Sequence, residues 1–203
     1  TRTISSAASD VYKRQGILSS KAAIYCGVGL ASLATRPEHV SASLISCPEV
    51  MVKGINSGQD VEEHLVKPNV IAIGPGLGQS AWSEQMVQRV FMEAETRNVP
   101  VVMDADALNL LAKLKLSNRL PRQLILTPHP GEAASLLNTS IAEIESDRFS
   151  AAERIHKKYK IGRKLMAYKP IRSMVIRFAK NKQNKDKLFE YMFIDSGKTI
   201  GVL

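Results

Sequence analysis

The stretch "NVIAIGPGLGQ", residues 69–79, decides the fold class. It opens on a nearly continuous apolar run, which is typical of a strand buried on both faces of a sheet. Glycines end the run, and "SAWSEQMVQRVFMEAETRN" (80–98) follows with apolar residues at helical spacing. The order strand, loop, helix is the repeating unit of α/β proteins.

The same unit occurs twice more, in "VPVVMDADALNLLAKL" (99–114) and "RQLILTPHPGEAASLL" (122–137). Three consecutive units predict parallel strands joined by right-handed crossovers, and therefore an α/β sheet covered by helices. Ligands of such sheets bind beyond the carboxyl ends of the strands. We therefore expect the loops "GPGLG", "DADALN" and "TPHPGE" to meet at one ligand-binding edge.

The flanking regions give weaker patterns. "SSKAAIYCGVGLASLAT" (19–35) predicts a helix, a glycine break and a strand. "EHVSASLISC" (38–47) alternates enough to predict a short strand or a loop, and "SMVIRFA" (173–179) predicts a strand. The first fifteen residues show neither the helical nor the strand period, so we expect them to be disordered.

The composition is that of a globular domain, with 203 residues of which 44% are hydrophobic. No apolar run approaches the roughly 20 residues that span a bilayer, and the N-terminus lacks the apolar core of a secretory signal. Cys26 and Cys47 form no disulfide framework and have no metal-ligand spacing, so we assign no metal ligand and expect a cytoplasmic protein without a membrane segment.

The net charge of +9 is concentrated in the C-terminal region. Residues 151–203 hold 14 Lys and Arg against 4 Asp and Glu, whereas residues 1–150 hold 14 against 15. Because the excess belongs to this tail alone, the charge argues against nucleic-acid binding as the main function.

Each loop has a chemical and a structural interpretation. Gly74, Gly76 and Gly78 allow a ligand close to the backbone, or simply form a tight turn. Asp104 and Asp106 could hold Mg²⁺ through water or bind ribose hydroxyls, but Asp106 could equally cap a helix. Strand alternation would place both carboxylates on one side, with Asn109 one helical turn further on.

In "TPHPGE", prolines on both sides restrict the backbone of His129. Pro130 suits an early helical position, and Glu132 suits the positive end of the helix dipole. An imidazole held in this way can bind a ligand amide or phosphate at little entropic cost. In an intact homologous domain, we expect His129→Ala to weaken ligand binding with little loss of stability.

With "IAIGPGLGQSAW", "VVMDADALNLLA", "LILTPHPGEAASLLNTSIAEIESDR" and "GVGLASLAT" in view, the chain resembles the ADP-dependent NAD(P)H-hydrate dehydratases of the ribokinase-like superfamily. In many bacteria this domain is fused to an epimerase in a bifunctional repair enzyme. The resemblance covers residues 16–159. It implies a ribokinase-like three-layer sandwich with a mostly parallel sheet, here truncated at both ends, with residues 1–15 as a non-family leader and residues 160–203 as a basic tail.

The resemblance also implies a lyase (hydro-lyase) reaction, a substrate and a cofactor. Hydrated NADH or NADPH (NADHX or NADPHX) is dehydrated to NAD(P)H while ADP, or ATP in some relatives, is split with Mg²⁺, ADP giving AMP and phosphate. Gly74, Gly76, Gly78 and His129 match positions that bind the hydrated dinucleotide. Asp104, Asp106, Asn109 and Glu132 lie in motifs that line the same cleft. The intact family domain is a homo-oligomer by the same resemblance.

Two family motifs have no counterpart after "IHKKY". These are a KGxxT-type loop that grips the AMP phosphate and a GGxGD segment whose Asp is the catalytic base, so we expect impaired turnover and assign no catalytic residue. Our hypothesis is a frame slip near Tyr159. It predicts that another forward frame of the source DNA encodes both motifs, and a translation lacking them would contradict it.

Two alternatives stay open at this point. A small-molecule kinase of the same superfamily would use ATP rather than ADP. A non-catalytic nucleotide-binding or nucleic-acid-binding protein would lose polyanion binding when the tail is removed, and its affinity would depend on salt.

Overall fold

The three strand–loop–helix units form as predicted, in the centre of one sheet. The computed structural model describes residues 2–5, 13–114, 120–159, 165–168 and 174–176. Its strands are β1 (Arg2–Ser5), β2 (Ser32–Thr35), β3 (Met51–Gly54), β4 (Pro68–Ile73), β5 (Val101–Met103), β6 (Leu124–Leu126), β7 (Leu165–Tyr168) and β8 (Met174–Ile176). They are arranged in the order β3-β2-β1-β4-β5-β6-β7-β8. All neighbours are parallel except β7 and β8, which are antiparallel.

The helices that connect these strands cover both faces of the sheet. They are α1 (Lys13–Tyr25), α2 (Val40–Ser46), α3 (Gly58–Leu65), α4 (Ala81–Arg97), α5 (Asp106–Leu114), α6 (Pro130–Leu137), α7 (Ile141–Ser146) and α8 (Arg148–Tyr159). A short 3₁₀ turn, Pro37–His39, precedes α2.

Strand alternation divides the core into two layers, one on each side of the sheet. Ile71, Ile73 and Met103 are fully buried in a large cluster that includes residues of α3 to α8. Ala72, one position along β4 from two of them, packs instead with Ala23 of α1. The helix–sheet–helix layering confirms the predicted α/β three-layer class.

The helix, glycine break and strand predicted for residues 19–35 are confirmed as α1, Gly27 with φ +88°, and β2. The strand or loop predicted for residues 38–47 is wrong, because this segment forms the 3₁₀ turn and α2. Its buried residues are His39, Ser43 and Cys47. Their spacing of four is helical, and it outweighs the apparent alternation.

The disorder predicted for residues 1–15 differs from the structure in two places. Arg2–Ser5 forms β1, paired in parallel with β2 on one side and with β4 on the other, and α1 already begins at Lys13. A four-residue strand is too short to show a reliable alternation of apolar and polar residues. Backbone pairing with a strand on each side holds β1 in the sheet, although its sequence pattern does not indicate a strand.

Part of the C-terminal prediction lies outside the described residues. The strand predicted within residues 173–179 is present as β8 (Met174–Ile176). Apart from β7 and β8, the basic tail is outside the described ranges, as is most of the region affected by the proposed frame slip. Among the residues that are described, no helix has the length and hydropathy needed to cross a membrane.

Candidate functional site

The three predicted loops meet at one edge because β4, β5 and β6 are parallel neighbours. The ladders continue past the ends of the strands. The Asp104 amide donates to the Ile73 carbonyl oxygen at 3.1 Å, and the Thr127 amide donates to the Met103 carbonyl oxygen at 3.0 Å. The Thr127 hydroxyl donates to the same Met103 oxygen at 3.0 Å. The loops therefore leave the sheet side by side.

The glycine loop packs directly against the loop that follows β5. Gly74 has φ +130°, and a Cβ at this position would lie 1.7 Å from the carbonyl oxygen of Asp104. Gly76 and Gly78 also have positive φ, of 73° and 74°. Glycine is needed at Gly74 on two grounds, the left-handed backbone region and the close approach of a second chain segment.

Ser83 bonds the glycine loop to the start of α4, and Ser80 caps the same helix. Ser80 is the N-cap of α4, and its hydroxyl accepts the Ser83 amide at 3.3 Å. The fully buried Ser83 donates its own hydroxyl to the Leu77 carbonyl oxygen at 2.7 Å. Sequence reasoning missed both residues. The N-cap preference for serine could have indicated Ser80, whereas the sequence carries no signal for Ser83.

Asp106 joins the glycine loop to the loop after β5. Its Oδ2 accepts a hydrogen bond from the Gly78 amide at 2.8 Å. Asp106 is also the first residue of α5, rather than the residue that precedes the helix. Asp106 is therefore not the predicted N-cap of α5. Its side chain instead bonds one loop to the other.

The expected alternation of Asp104, Ala105 and Asp106 is wrong, because β5 ends at Met103. Ala105 has φ +49°, which turns the chain before α5 begins. Asn109 lies in the first turn of α5, half-buried, and its amide donates to the Ala105 carbonyl oxygen at 3.3 Å. Asp104 and Asn109 thus lie at the predicted edge of the sheet. The turn after β5 and the start of α5 place them there, rather than the alternation of a strand.

His129 is the N-cap of α6. Its Nδ1 accepts the amides of Gly131 at 3.0 Å and Glu132 at 3.3 Å, and the Glu132 carboxylate accepts the His129 amide at 2.8 Å. This reciprocal arrangement is a capping box with histidine in the place of serine or threonine. Pro130 begins α6, as predicted.

The capping box also selects the tautomer of the neutral imidazole. Nδ1 can accept only as an unprotonated nitrogen, so the remaining proton of the neutral ring is on Nε2. Nε2 lies 3.2 Å from Oε1 of Glu132, whose side chain is 8% exposed, while that of His129 is 57% exposed. His129 therefore stands at the surface of the edge, held in position by a buried carboxylate. The cap also changes the expectation that His129→Ala would spare stability, because the substitution removes an acceptor for two amides.

A cationic side chain that sequence reasoning missed lies beside the N-terminus of α4. Arg36 follows β2, and its guanidinium lies 5.3 Å from the centre of the Trp82 ring. Glu38 pairs with Arg36 at 3.4 Å, and this pair and the backbone amide of Glu38 lower the pKa of the Glu38 carboxyl, the amide contributing most. Nothing in the sequence pairs Arg36 with a tryptophan 46 positions later, so only the fold could reveal this contact.

The described residues contain no group of three or more His, Cys, Asp or Glu side chains arranged to hold a metal ion. The carboxylates at the edge are Asp104 and Asp106, in the turn after β5, and Glu132, in the first turn of α6. What the arrangement offers is a rigid, hydrogen-bonded surface with one exposed imidazole.

Sequence comparison places the chain among known proteins. The family model described as NAD(P)H-hydrate dehydratase matches residues 8–162. The chain is 42% identical over 142 residues to a bifunctional NAD(P)H-hydrate repair enzyme of Coxiella burnetii, covering 70% of this chain and 28% of that protein. It is 34% identical over 137 residues to an ADP-dependent (S)-NAD(P)H-hydrate dehydratase of Streptococcus pneumoniae, covering 67% and 46%. The chain thus spans less than half the length of either relative.

Structural comparison agrees with the family match. A ribokinase-like superfamily protein of Enterococcus faecalis superposes with a TM-score of 0.75 at 25% identity, covering 87% of this chain and 60% of that one. This confirms the ribokinase-like fold. The family match begins at residue 8, whereas the predicted start of the domain is Gly16. This chain is a member of the NAD(P)H-hydrate dehydratase family.

Proposed function

We propose that this chain binds hydrated NADH or NADPH at the edge formed by the three loops, and that its activity is the ADP-dependent dehydration of this ligand. The observation that carries the proposal is the direct linkage of the loops, through the 2.8 Å bond between Gly78 and Asp106 and the close packing of Gly74 on Asp104. A pre-ordered surface of this kind loses little entropy when a ligand binds. The names of the relatives support the choice of ligand.

The chemistry divides into two steps. Transfer of the terminal phosphoryl group of ADP to the ring hydroxyl yields AMP and a phosphorylated ring. Elimination then breaks the carbon–oxygen bond and releases phosphate, while a proton leaves the neighbouring carbon and its electron pair forms the double bond of NAD(P)H. We assign the Gly74, Gly76 and Gly78 backbone and the exposed His129 to ligand binding. The proton-accepting residue stays unassigned, since the sequence has no GGxGD motif.

A nucleotide cofactor is part of the proposal. ADP is the preferred donor, with ATP as the alternative, and Mg²⁺ accompanies it. In phosphoryl-transfer sites Mg²⁺ is held by one or two carboxylates together with the substrate phosphates. Asp104 is the candidate ligand, because its carboxylate lies in the turn after β5 at this edge. When bound, Mg²⁺ would neutralise charge on the transferring phosphoryl group.

The remaining parts of the proposal concern the whole protein. We propose residues 16–159 as the dehydratase domain, followed by a basic tail, and a homo-oligomer as in the intact family domain. Both cysteines of the described chain are free thiols, which supports a reducing compartment such as the cytoplasm.

Turnover assays test this function. Purified chain is mixed with NADPHX and either ADP or ATP, and the return of the dihydronicotinamide absorbance is followed together with AMP and phosphate. We expect NADPHX-dependent splitting of ADP at a reduced rate, because the KGxxT and GGxGD motifs are missing. ATP-dependent phosphorylation of an added small molecule, with no return of the dihydronicotinamide absorbance, would instead indicate a kinase.

A further inference from the structure

The bond between Gly78 and Asp106 crosses from one loop to another. The Gly78 amide donates to Asp106 Oδ2 at 2.8 Å across 28 positions of sequence. The carboxylate is partly buried, so solvent competes less for it than for a surface group. Hydrogen bonds to an ionised acceptor are about twice as strong as neutral ones. This contact is therefore a strong candidate for ordering the loop.

The glycine loop needs such a contact more than an ordinary turn does. Three of its residues are glycines at positive φ, and glycine has more backbone freedom to lose than any other residue. Its other hydrogen bonds connect positions close in sequence, from the Leu77 amide to the Gly74 oxygen and from Ser83 to the Leu77 oxygen. The bond from Asp106, which lies outside the β4–α4 segment, fixes the C-terminal side of the loop relative to the turn after β5.

Asp106 meets this requirement because its own position is fixed. The Asp104 amide is bonded to β4 and the Ala107 amide to the Asp104 oxygen, at 3.1 Å and 3.2 Å. Ala107, the next residue of α5, is completely buried. The carboxylate therefore extends from a rigid turn, and it holds the glycine loop at its C-terminal side while Gly74 is wedged against Asp104 at its N-terminal side.

We propose that Asp106 is a positioning residue, which holds the glycine loop in the shape that receives the hydrated dinucleotide through its bond to Gly78. This inference rests on the proposed function and replaces the direct role of Asp106 as a ribose or Mg²⁺ ligand. Asp106 affects ligand binding through its hydrogen bond to the Gly78 amide. The effect therefore depends on how well the side chain accepts this bond, and not on contact between Asp106 and the ligand.

Three variants of the full chain test the assignment. Asp106→Asn keeps the shape and a weaker, neutral acceptor, whereas Asp106→Ala removes the acceptor. Asp60→Asn is the matched control, because its carboxylate also accepts two backbone amides, from Asn56 and Ser57 at 3.0 Å each. It lies after β3, which β2 and β1 separate from β4.

Two readouts are needed: amide hydrogen exchange of residues 74–78 and the affinity for NADPHX by calorimetry. Loss of a hydrogen bond to a charged group corresponds to about a tenfold or greater loss of affinity for Asp106→Ala. We expect a smaller loss for Asp106→Asn, none for Asp60→Asn, and faster exchange in the same order. Asp106→Asn is the decisive variant if the alanine chain does not fold.

The outcomes separate this inference from the proposed function. Faster exchange with NADPHX affinity equal to wild type would show a purely structural bond and overturn the assignment alone. Equal losses of affinity in Asp60→Asn and Asp106→Asn would do the same. Absence of NADPHX binding by the wild-type chain would contradict the proposed function, and the assignment would fall with it.

Discussion

At the scale of single residues, His129 combines a structural and a proposed binding role. Its extended backbone, with φ −76° and ψ 169°, is the conformation that a following proline favours and that an N-cap requires. The two prolines therefore do more than restrict the histidine. They favour a cap in which Nδ1 accepts the backbone amides at the start of α6, while the ring stays exposed at the edge of the sheet.

Substitution of His129 separates these two roles. His129→Ala removes the acceptor for two amides and should lower the free energy of unfolding by about 1 kcal/mol. His129→Asn should restore most of this loss, because asparagine is among the best N-cap residues. Both variants should lose affinity for NADPHX if the imidazole contacts the ligand. Urea unfolding and calorimetry measure the two effects, and equal destabilisation by Ala and Asn would contradict the capping role.

Gly74 offers a second test at this scale, with Gly27 as a matched control. Both glycines have positive φ, but a Cβ at Gly27 meets nothing within 4 Å, whereas a Cβ at Gly74 meets backbone at 1.7 Å. Gly27→Ala should destabilise by about 1–3 kcal/mol through backbone strain alone. Gly74→Ala should lose more than about 4 kcal/mol, since the clash must move β4 or the turn after β5. Similar melting temperatures for the two variants would contradict the packing of Gly74 on Asp104.

At the scale of elements, the helices that follow β3, β4 and β6 begin with different caps. Ser57 and Asp60 form a capping box at α3, Ser80 caps α4, and His129 with Glu132 caps α6. Each cap satisfies amides that would otherwise be unpaired at the start of the helix. The parallel topology brings all these helix starts to the same edge as the loops.

The cap of α3 predicts an acid-sensitive contribution to stability. Backbone amides of Ser57 and Asn56 lower the pKa of the Asp60 carboxyl below its ordinary value of 3.8. A lowered pKa stabilises the fold at pH values above 3.8, and the contribution disappears as the pH falls through the folded-state pKa. Asp60→Asn should therefore lower the thermal midpoint at neutral pH and flatten its decline below pH 3.8.

Glu63→Gln is the control for this prediction, because Glu63 is an exposed carboxylate on the same helix. Because Glu63 lies outside the capping box of α3, the thermal midpoint of Glu63→Gln at neutral pH should stay near that of the wild type. Thermal midpoints between neutral and strongly acidic pH provide the measurement, and an Asp60→Asn profile parallel to wild type would contradict the capping argument.

At the scale of the whole molecule, the sequence predicted the centre of the fold better than its margins. Residues 69–137 show their strands as apolar runs, because those strands are covered on both faces. β1 is four residues long and α2 hides its helical period in a serine-rich segment, so local patterns could not reveal either. Pairing with β2 and β4 decides β1, whereas α2 packs against β3, and a single sequence does not display such tertiary contacts.

The candidate site, like the fold, could be predicted from the sequence only in part. Parallel topology was enough to predict that three loops share one edge, and the glycines, Asp104, Asp106 and His129 lie there. The bonds among them could not be predicted, because Gly78 and Asp106 are 28 residues apart. Which of these residues touch the ligand stays a prediction, as does the frame slip near Tyr159.

The central claim is that the three-loop edge binds hydrated NAD(P)H, and a thermal-shift titration of the wild-type chain with NADPHX tests it most directly. A ligand at about 100 times its dissociation constant stabilises the native state by about 2.7 kcal/mol, so the melting temperature should rise steadily with NADPHX. His129→Asn, which keeps the cap, should shift this titration to higher NADPHX concentrations. A wild-type midpoint that does not move with NADPHX, alone or with ADP, would contradict the account.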